Sequence, residues 1–340
     1  MGRAVIKTDR LLLRPFVQDD APAIVDGIGD LAVARWLRTV PIPYRLEDAE
    51  TFLASVEGDE GQIWAIEGEA GLCGVIGTDE ELGYWLRQDH WGRGLVTEAA
   101  RAVLADWFSN PDAPPITSGY FDGNARSAGV LGKLGFGKRG TQTLHCQALD
   151  QDVLSHRMIL TPEQYHAMHP WIIHTKRLTL RPLGQHDLET LVAMAGVDPV
   201  ARNLLSVPVP WPLDEAARWV ELSRWRGRLG FRLGIERDGV LIGSVGLGRR
   251  ERGGGATTMY FLSQDHWGQG YATEAMAAFL PAAAERFALT EILADHFADN
   301  PASGRVLQKL GFERIGEKSG GSAARVEDAP LILYRLSLTQ

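Results

Sequence analysis

Cysteine is nearly absent: Cys73 and Cys146 are the only two in 340 residues. That excludes a disulfide framework and leaves too few thiols for a cysteine-only zinc site. Each is expected to act as a small buried hydrophobe rather than a nucleophile. No apolar run approaches the ~20 residues needed to cross a bilayer. The opening segment, Met1 to Lys7, lacks the apolar core of a signal peptide. Ile6 stands where a myristoylation signal needs Ser or Thr. A cytoplasmic chain without membrane attachment is therefore expected. Positive charge is not in excess either, since the net charge is −8, and this argues against a nucleic-acid footprint. The nine histidines show no metal-ligand spacing, so no metal is expected.

The acidity is uneven. Residues 1–165 hold 15 Lys+Arg against 24 Asp+Glu, whereas the remainder holds 20 against 19. An acidic first half favours a cationic partner such as an amine, with a merely solvated acidic surface as the alternative.

The chain contains a long internal repeat. Asp89-His90-Trp91-Gly92-Arg93-Gly94 returns 176 residues later as Asp265-His266-Trp267-Gly268-Gln269-Gly270. Asn124-x-x-Ser127 and Lys133-Leu134-Gly135-Phe136 return at the same offset, as Asn300-x-x-Ser303 and Lys309-Leu310-Gly311-Phe312. Arg10-Leu11-x-Leu13-Arg14-Pro15 returns as Arg177-Leu178-x-Leu180-Arg181-Pro182, at an offset of 167. The second copy is thus nine residues longer, and seven of these fall between Gly246 and Trp267, where Arg249 to Gly255 read as a polar loop. A period this long means a duplicated domain rather than a solenoid. Domains are expected at 1–162 and 174–340, joined by a linker at 163–173. The tandem predicts a monomer with an internal pseudo-dimer.

Each copy reads as a strand (Leu11/Leu13; Leu178/Leu180), then acidic helical sequence (Asp48 to Val56; Asp214 to Leu222), then a hairpin. The hairpins are Ile63 to Gly77 and Phe231 to Gly246, the latter turning at Asp238-Gly239. A central strand follows, Leu82 to Leu86 or Met259 to Leu262, and ends at the glycine turn. Val96, Ala99, Ala100, Val103, Leu104, Trp107 and Phe108 then make one apolar helix face. The matching helix of copy two contains Pro281, which predicts a kink. A strand, a short helix with Gly135 or Gly311 as its C′ residue, and a last strand (His156 to Leu160; Tyr334 to Leu338) complete the unit.

A strand, Trp-Gly-x-Gly and a helix start gather backbone N–H groups and the positive end of a helix dipole around one point. Glycine lets the backbone approach an anion closely. No Lys-Ser/Thr follows the glycines and no third glycine is present, which excludes the Walker loop and the dinucleotide fingerprint.

These motifs, in this order and in both copies, resemble the GNAT superfamily of acetyltransferases, in the branch of the ribosomal-protein alanine N-acetyltransferases. The residues that carry the resemblance include Glu81-Leu82-Gly83-Tyr84-Trp85-Leu86, Thr97-Glu98-Ala99 after the first turn, and Tyr271-Ala272-Thr273-Glu274-Ala275 after the second. The chain departs from the superfamily at Asp89 and Asp265, where Gln or Arg is frequent. The resemblance implies an α/β (α+β) fold: two tandem GNAT domains, each a mixed, mostly antiparallel sheet flanked by helices, with a split between central strands. It implies acetyl-CoA as cosubstrate, lying in that split. Backbone N–H groups of Trp91, Gly92, Arg93, Gly94, Leu95 and Val96 would hold its pyrophosphate, as would Trp267, Gly268, Gln269, Gly270, Tyr271 and Ala272. Leu86 and Leu262 would pair with the pantetheine arm. Asn124 and Asn300 would bond the pantetheine or cap the next helix, and Ser127 and Ser303 would donate to the coenzyme A sulfur.

Glu81 is the leading general-base candidate; the alternative is an exposed carboxylate in the run Asp79-Glu80-Glu81. Copy two has Thr257 at that place. Glu98 and Glu274 read as structural, Trp91 and Trp267 as packing beneath the turn, and Tyr44 and Trp211 as lining an acceptor site or packing in a core. The expected function is N-acetyl transfer to a primary amine by direct attack, with copy one better equipped. The alternative is a coenzyme A-binding protein in which one copy, the second first of all, or both are structural or regulatory. The acceptor is a small molecule or a protein N-terminus.

Overall fold

The structure, a computed structural model, describes residues 5–56, 62–250 and 256–338. The segment expected as a polar loop at Arg249 to Gly255 falls for the most part outside these residues. The chain divides into two compact units, Met1–Tyr165 and His166–Gln340. Within the expected linker lies part of the helix Pro162–Met168.

In the first unit the strands Ile6–Lys7, Leu12–Arg14, Ile63–Gly68, Gly71–Gly77 and Gly83–Leu86 form a fully antiparallel sheet in chain order. Side chains alternate across it, as a pleat requires. Trp64 and Ile66 enter one core with Val103, Leu104 and Phe108. Ala65 faces the other way, against Ile24, Ala49 and Leu53 of the helices Ala21–Ile28 and Leu46–Val56. A three-stranded antiparallel sheet, ordered Ile116–Phe121, Gln151–Leu160, Gly137–Cys146, stands beside it. The two sheets meet at one end of the central strands. There Leu82 N–H donates to the Thr117 carbonyl at 2.8 Å, and the Ser118 hydroxyl donates to the Leu82 carbonyl at 2.7 Å.

The second unit holds one eight-stranded sheet. Its central strands, Ala256–Leu262 and Glu291–Phe297, are parallel, and they are in register only at Ala256↔Ile292 and Thr257↔Leu293. Beyond those two positions they part. This is the split the resemblance implied, and every other pairing in the sheet is antiparallel. The hairpin turns at Asp238-Gly239 as expected, with both residues at positive φ, 49° and 81°, the geometry that matches strand twist.

Helices Leu95–Trp107 and Tyr271–Phe287 follow the glycine turns. The second runs unbroken through Pro281. The short helices Ala125–Lys133 and Pro301–Lys309 end as read from the sequence. Gly135 and Gly311 have φ of 86° and 84°, and Phe136 and Phe312 donate their N–H to Leu131 and Leu307 at 3.0 Å, closing a Schellman motif. Cys73 and Cys146 are both fully buried, and burial pushes the Cys73 thiol up to about 11, consistent with an inert hydrophobe. No helix among the described residues is long and apolar enough to cross a membrane.

Candidate functional site

Each unit carries one large cavity, of about 770 Å³ in the first and 1330 Å³ in the second. One end of each is the glycine turn. Gly92 and Gly94 have φ of 76° and 77°, and Gly268 and Gly270 repeat this at 73° and 80°. A Cβ at Gly92 or Gly268 would meet no protein atom within 4 Å, so these glycines serve conformation and leave the space above them open. No side chain caps either following helix. The first N–H groups of a helix have no partner within it, so both turns present unspent donors and a positive dipole end to the cavity. This donor set fits a pyrophosphate.

The structure explains the repeated Arg-Leu motif, whose role the sequence did not disclose. Arg10 Nε and Nη2 donate to the Glu98 carboxylate at 2.7 and 2.6 Å, and Arg10 Nη1 donates to the Arg93 carbonyl at 3.1 Å. The planar peptide forces the next N–H, that of Gly94, to point the opposite way. Arg177 does the same with Glu274 and the Gln269 carbonyl at 3.2 Å, orienting the Gly270 N–H. Glu98 and Glu274 are thus structural, as read. Burial works to raise their pKa, but donors from Thr8 and Arg10, or Thr175 and Arg177, outweigh it and hold both carboxylates low. Trp91 and Trp267 donate Nε1–H to the Leu86 and Leu262 carbonyls at 2.9 Å, pinning each turn to the end of its central strand. Trp91 packs against the core, while Trp267 is 45% exposed.

The middle of the cavity is set by a pair that sequence reasoning missed. The Tyr84 hydroxyl lies 2.9 Å from Ser127 Oγ, and the Tyr260 hydroxyl 2.8 Å from Ser303 Oγ. Burial pushes both tyrosines up to about 12, so they stay protonated. The signal was present, since Tyr84 and Tyr260 recur at the common offset. Asn124 and Asn300 cap their helices, accepting from the N–H of Ser127 at 3.1 Å and Ser303 at 3.3 Å. This is the capping geometry favoured for Asn. Both asparagines also face the cavities.

The far ends differ. In the first unit Glu81 faces the cavity together with Glu80, Arg38 and Arg157. Solvent reaches its side chain, yet partial desolvation and the Glu80 charge raise its pKa against the opposing pull of Arg157 and Arg38. Gln142 and Arg157 reach this wall from the hairpin Gly137–Cys146/Gln151–Leu160, most of which the sequence reading left unassigned. In the second unit Thr257 stands in the place of Glu81. The acids on that cavity are paired: Asp295 lies 3.5 Å from Lys318, and Asp299 is bonded by Arg325 at 2.8 Å and Arg202 at 3.2 Å.

Each cavity therefore gathers its turn, strand end, Asn and Ser. Leu86, Trp91, Gly92, Gly94, Leu95, Val96, Asn124, Ser127 and Glu81 line the first. Leu262, Trp267, Gly268, Gly270, Tyr271, Ala272, Asn300 and Ser303 line the second. Arg93 and Gln269 are in the turns but not among the lining residues. Tyr44 and Trp211 pack in cores, Trp211 at 3% exposure, which is the second of the two readings given for them. No group of three or more potential metal ligands occurs among the described residues.

The acetyltransferase (GNAT) domain family matches residues 10–137 and again 177–313. The chain is 31% identical over 157 residues to the uncharacterized N-acetyltransferase YoaA of Bacillus subtilis (strain 168), a match spanning 43% of this chain and 84% of YoaA. It is 26% identical over 147 residues to the uncharacterized N-acetyltransferase p20 of Bacillus licheniformis, spanning 39% of this chain and 82% of p20. Among solved structures, an acetyltransferase (GNAT family) from Bacillus anthracis is 19% identical, with a TM-score of 0.43, covering 49% of this chain and 98% of its own.

Proposed function

Because the chain belongs to the GNAT family of acetyltransferases through both of its units, we propose that it transfers the acetyl group of acetyl-CoA to a primary amine by direct attack, with the first unit the better equipped. The observation that carries this reading is the first cavity. It joins an uncapped helix start at one end to a carboxylate of raised pKa at the other, with a Tyr–Ser hydroxyl pair between them.

Acetyl-CoA supplies an already activated thioester, so the protein has to bind, orient and move protons. The N–H groups of Gly92 to Val96 hold the pyrophosphate. Glu81, in its ionised form, takes the proton of the acceptor ammonium, directly or through a water, and frees the nitrogen lone pair. Backbone N–H groups of the central strand meet the charge that develops on the acyl oxygen. As the C–N bond forms and the C–S bond breaks, the nitrogen releases its second proton to solvent, while the Ser127 hydroxyl, oriented by Tyr84, passes a proton to the departing sulfur and regains one from solvent.

The Tyr84→Phe enzyme is expected to keep its KM for acetyl-CoA while kcat falls about 5–10-fold, the worth of one hydrogen bond of roughly 1 kcal/mol. Steady-state kinetics at fixed amine checks this. A raised KM with unchanged kcat would place Tyr84 in binding instead.

A second reading has its own support. Thr257 replaces the base in the second unit while its turn is intact, so that unit is proposed to bind coenzyme A and to acetylate poorly or not at all. Calorimetry with acetyl-CoA is expected to show two sites on the wild type and one on Gly268→Glu, since that position has positive φ and the new carboxylate enters an anion site. One site on the wild type would sink the two-site reading.

A further inference from the structure

The second cavity contains a cation that the reading above leaves unused. Arg232 lies on the strand Phe231–Arg237 and faces this cavity. Its guanidinium carbon sits 4.6 Å from the Trp219 ring centre, on the helix Leu213–Leu222. Several arginines of this unit reach carboxylates: Arg181 reaches Asp187 and Glu236, Arg226 reaches Glu221, and Arg325 reaches Asp299. Arg232 has no such partner among the described residues. It is half-buried, and desolvation pulls its pKa down to about 10 with no carboxylate to oppose the shift, so it is still cationic at neutral pH. A desolvated cation held only by a ring face is a site with an unmet demand for negative charge.

The hairpin registers make the comparison with the first unit direct. Arg232 pairs with Gly246, and Ile63 pairs with Gly77. The first unit thus has Ile63 where the second has Arg232, and Glu81 where the second has Thr257. One cavity gains a carboxylate at its far end; the other loses it and gains a guanidinium.

We propose that the second unit's cavity selects acceptors that carry a carboxylate, such as an amino acid or an acidic peptide, and that Arg232, held over the Trp219 ring, is the residue that binds it. The proposal rests on that cavity keeping an acceptor side beside its coenzyme A site, with transfer slow for want of a carboxylate at Thr257. The planar guanidinium offers a fork of donors matched to a carboxylate, and the Trp219 ring holds its charged end at the cavity before the ligand arrives. The split strands and the Gly268 turn lie in the same cavity, leaving the coenzyme a separate place.

The test is calorimetry on the full chain saturated with coenzyme A, using two matched pairs of amines: 4-aminobutyrate against n-butylamine, and glycyl-glutamate against glycyl-glutamine. At neutral pH the acidic member of each pair is expected to bind the wild type at least ~10-fold more tightly. Arg232→Gln should bring that ratio to within about 2-fold, and Arg232→Lys should keep part of it. Thermal melts confirm that both variants are folded. Equal binding of both members to the wild type overturns the proposal, as does a ratio unchanged in Arg232→Gln or no heat from any probe. Failure of the acetyl-transfer reading is seen separately, as no acetylated product from any of the four amines while the binding ratio persists.

Discussion

Replacing Glu81 with Gln is expected to lower kcat/KM for amine acetylation by on the order of 10²- to 10⁴-fold, the range of a positioned general base. Gln keeps the size and hydrogen-bonding reach of Glu but cannot accept a proton. An amine with an ordinary high pKa is almost wholly protonated at pH 7, so little of it carries a free lone pair until a base removes this proton. The pH dependence gives a second readout. Glu81 is active when ionised, and its pKa is raised by desolvation and by Glu80. Wild-type kcat/KM should therefore fall as pH drops through that raised value, and the acidic limb should be absent in the variant. Measuring both enzymes in a Gly268→Glu background confines the assay to the first unit. A variant with the wild-type rate and profile would remove Glu81 from the mechanism and leave it as one more surface acid.

The largest effect on stability is expected from Asp187→Asn, and its first-unit counterpart Asp20→Asn should behave alike. Asp187 accepts both arms of the Arg181 fork, at 2.8 and 2.9 Å, and also the Gly184 N–H at 2.9 Å. Its side chain is 4% exposed. Losing its charge leaves Arg181 in a half-buried place with only Glu236 to answer it. Breaking a buried pair from one side costs roughly 3–5 kcal/mol, and the remaining acid trims this to about 2–4. Urea unfolding of the full chain measures it, provided the two units are resolved or fitted as separate transitions. The pH sign is fixed. Desolvation works to raise the Asp187 pKa, but Arg181 and the Gly184 N–H outweigh it, so the folded value lies below the unfolded one. The stabilisation is present above the unfolded pKa of about 4 and is lost as pH falls through the lowered folded value. The gap between wild type and variant should hold from pH 5 to 8 and close below pH 4. A gap independent of pH would mean packing, not charge, is the source.

Much of this was legible in the sequence, and the reasons are local. The turn needs glycine at positive φ, the short helix needs Gly135 and Gly311 to stop it, and the hairpin needs Asp238-Gly239; each requirement leaves a residue that can be read. The apolar face of Leu95–Trp107 announces itself by period. What was not legible depends on distance along the chain. Arg10 reads as a strand residue until Glu98, 88 positions away, is seen to hold it. The strand Gly137–Cys146 has mostly exposed side chains, so its alternation carries no apolar signal, and with it Gln142 was missed; Arg157 lies in the last strand read from the sequence, but its place on the cavity wall shows only once that strand is paired with the hidden one. Arg232 was invisible for the opposite reason: its meaning lies in having no carboxylate partner among the described residues, which only a folded neighbourhood can show.

The parting of the parallel strands in the second unit has a consequence for how the protein keeps company. Past Thr257 and Leu293 the sheet has two facing edges in its interior. Edges with unmet ladder groups recruit foreign strands and seed aggregation when they are flat and open. These are tethered together at one end, so the gap between them is a blind slot. A slot closed at one end offers a foreign strand no full-length ladder to join, so edges that would make another protein sticky are guarded here by their own tether.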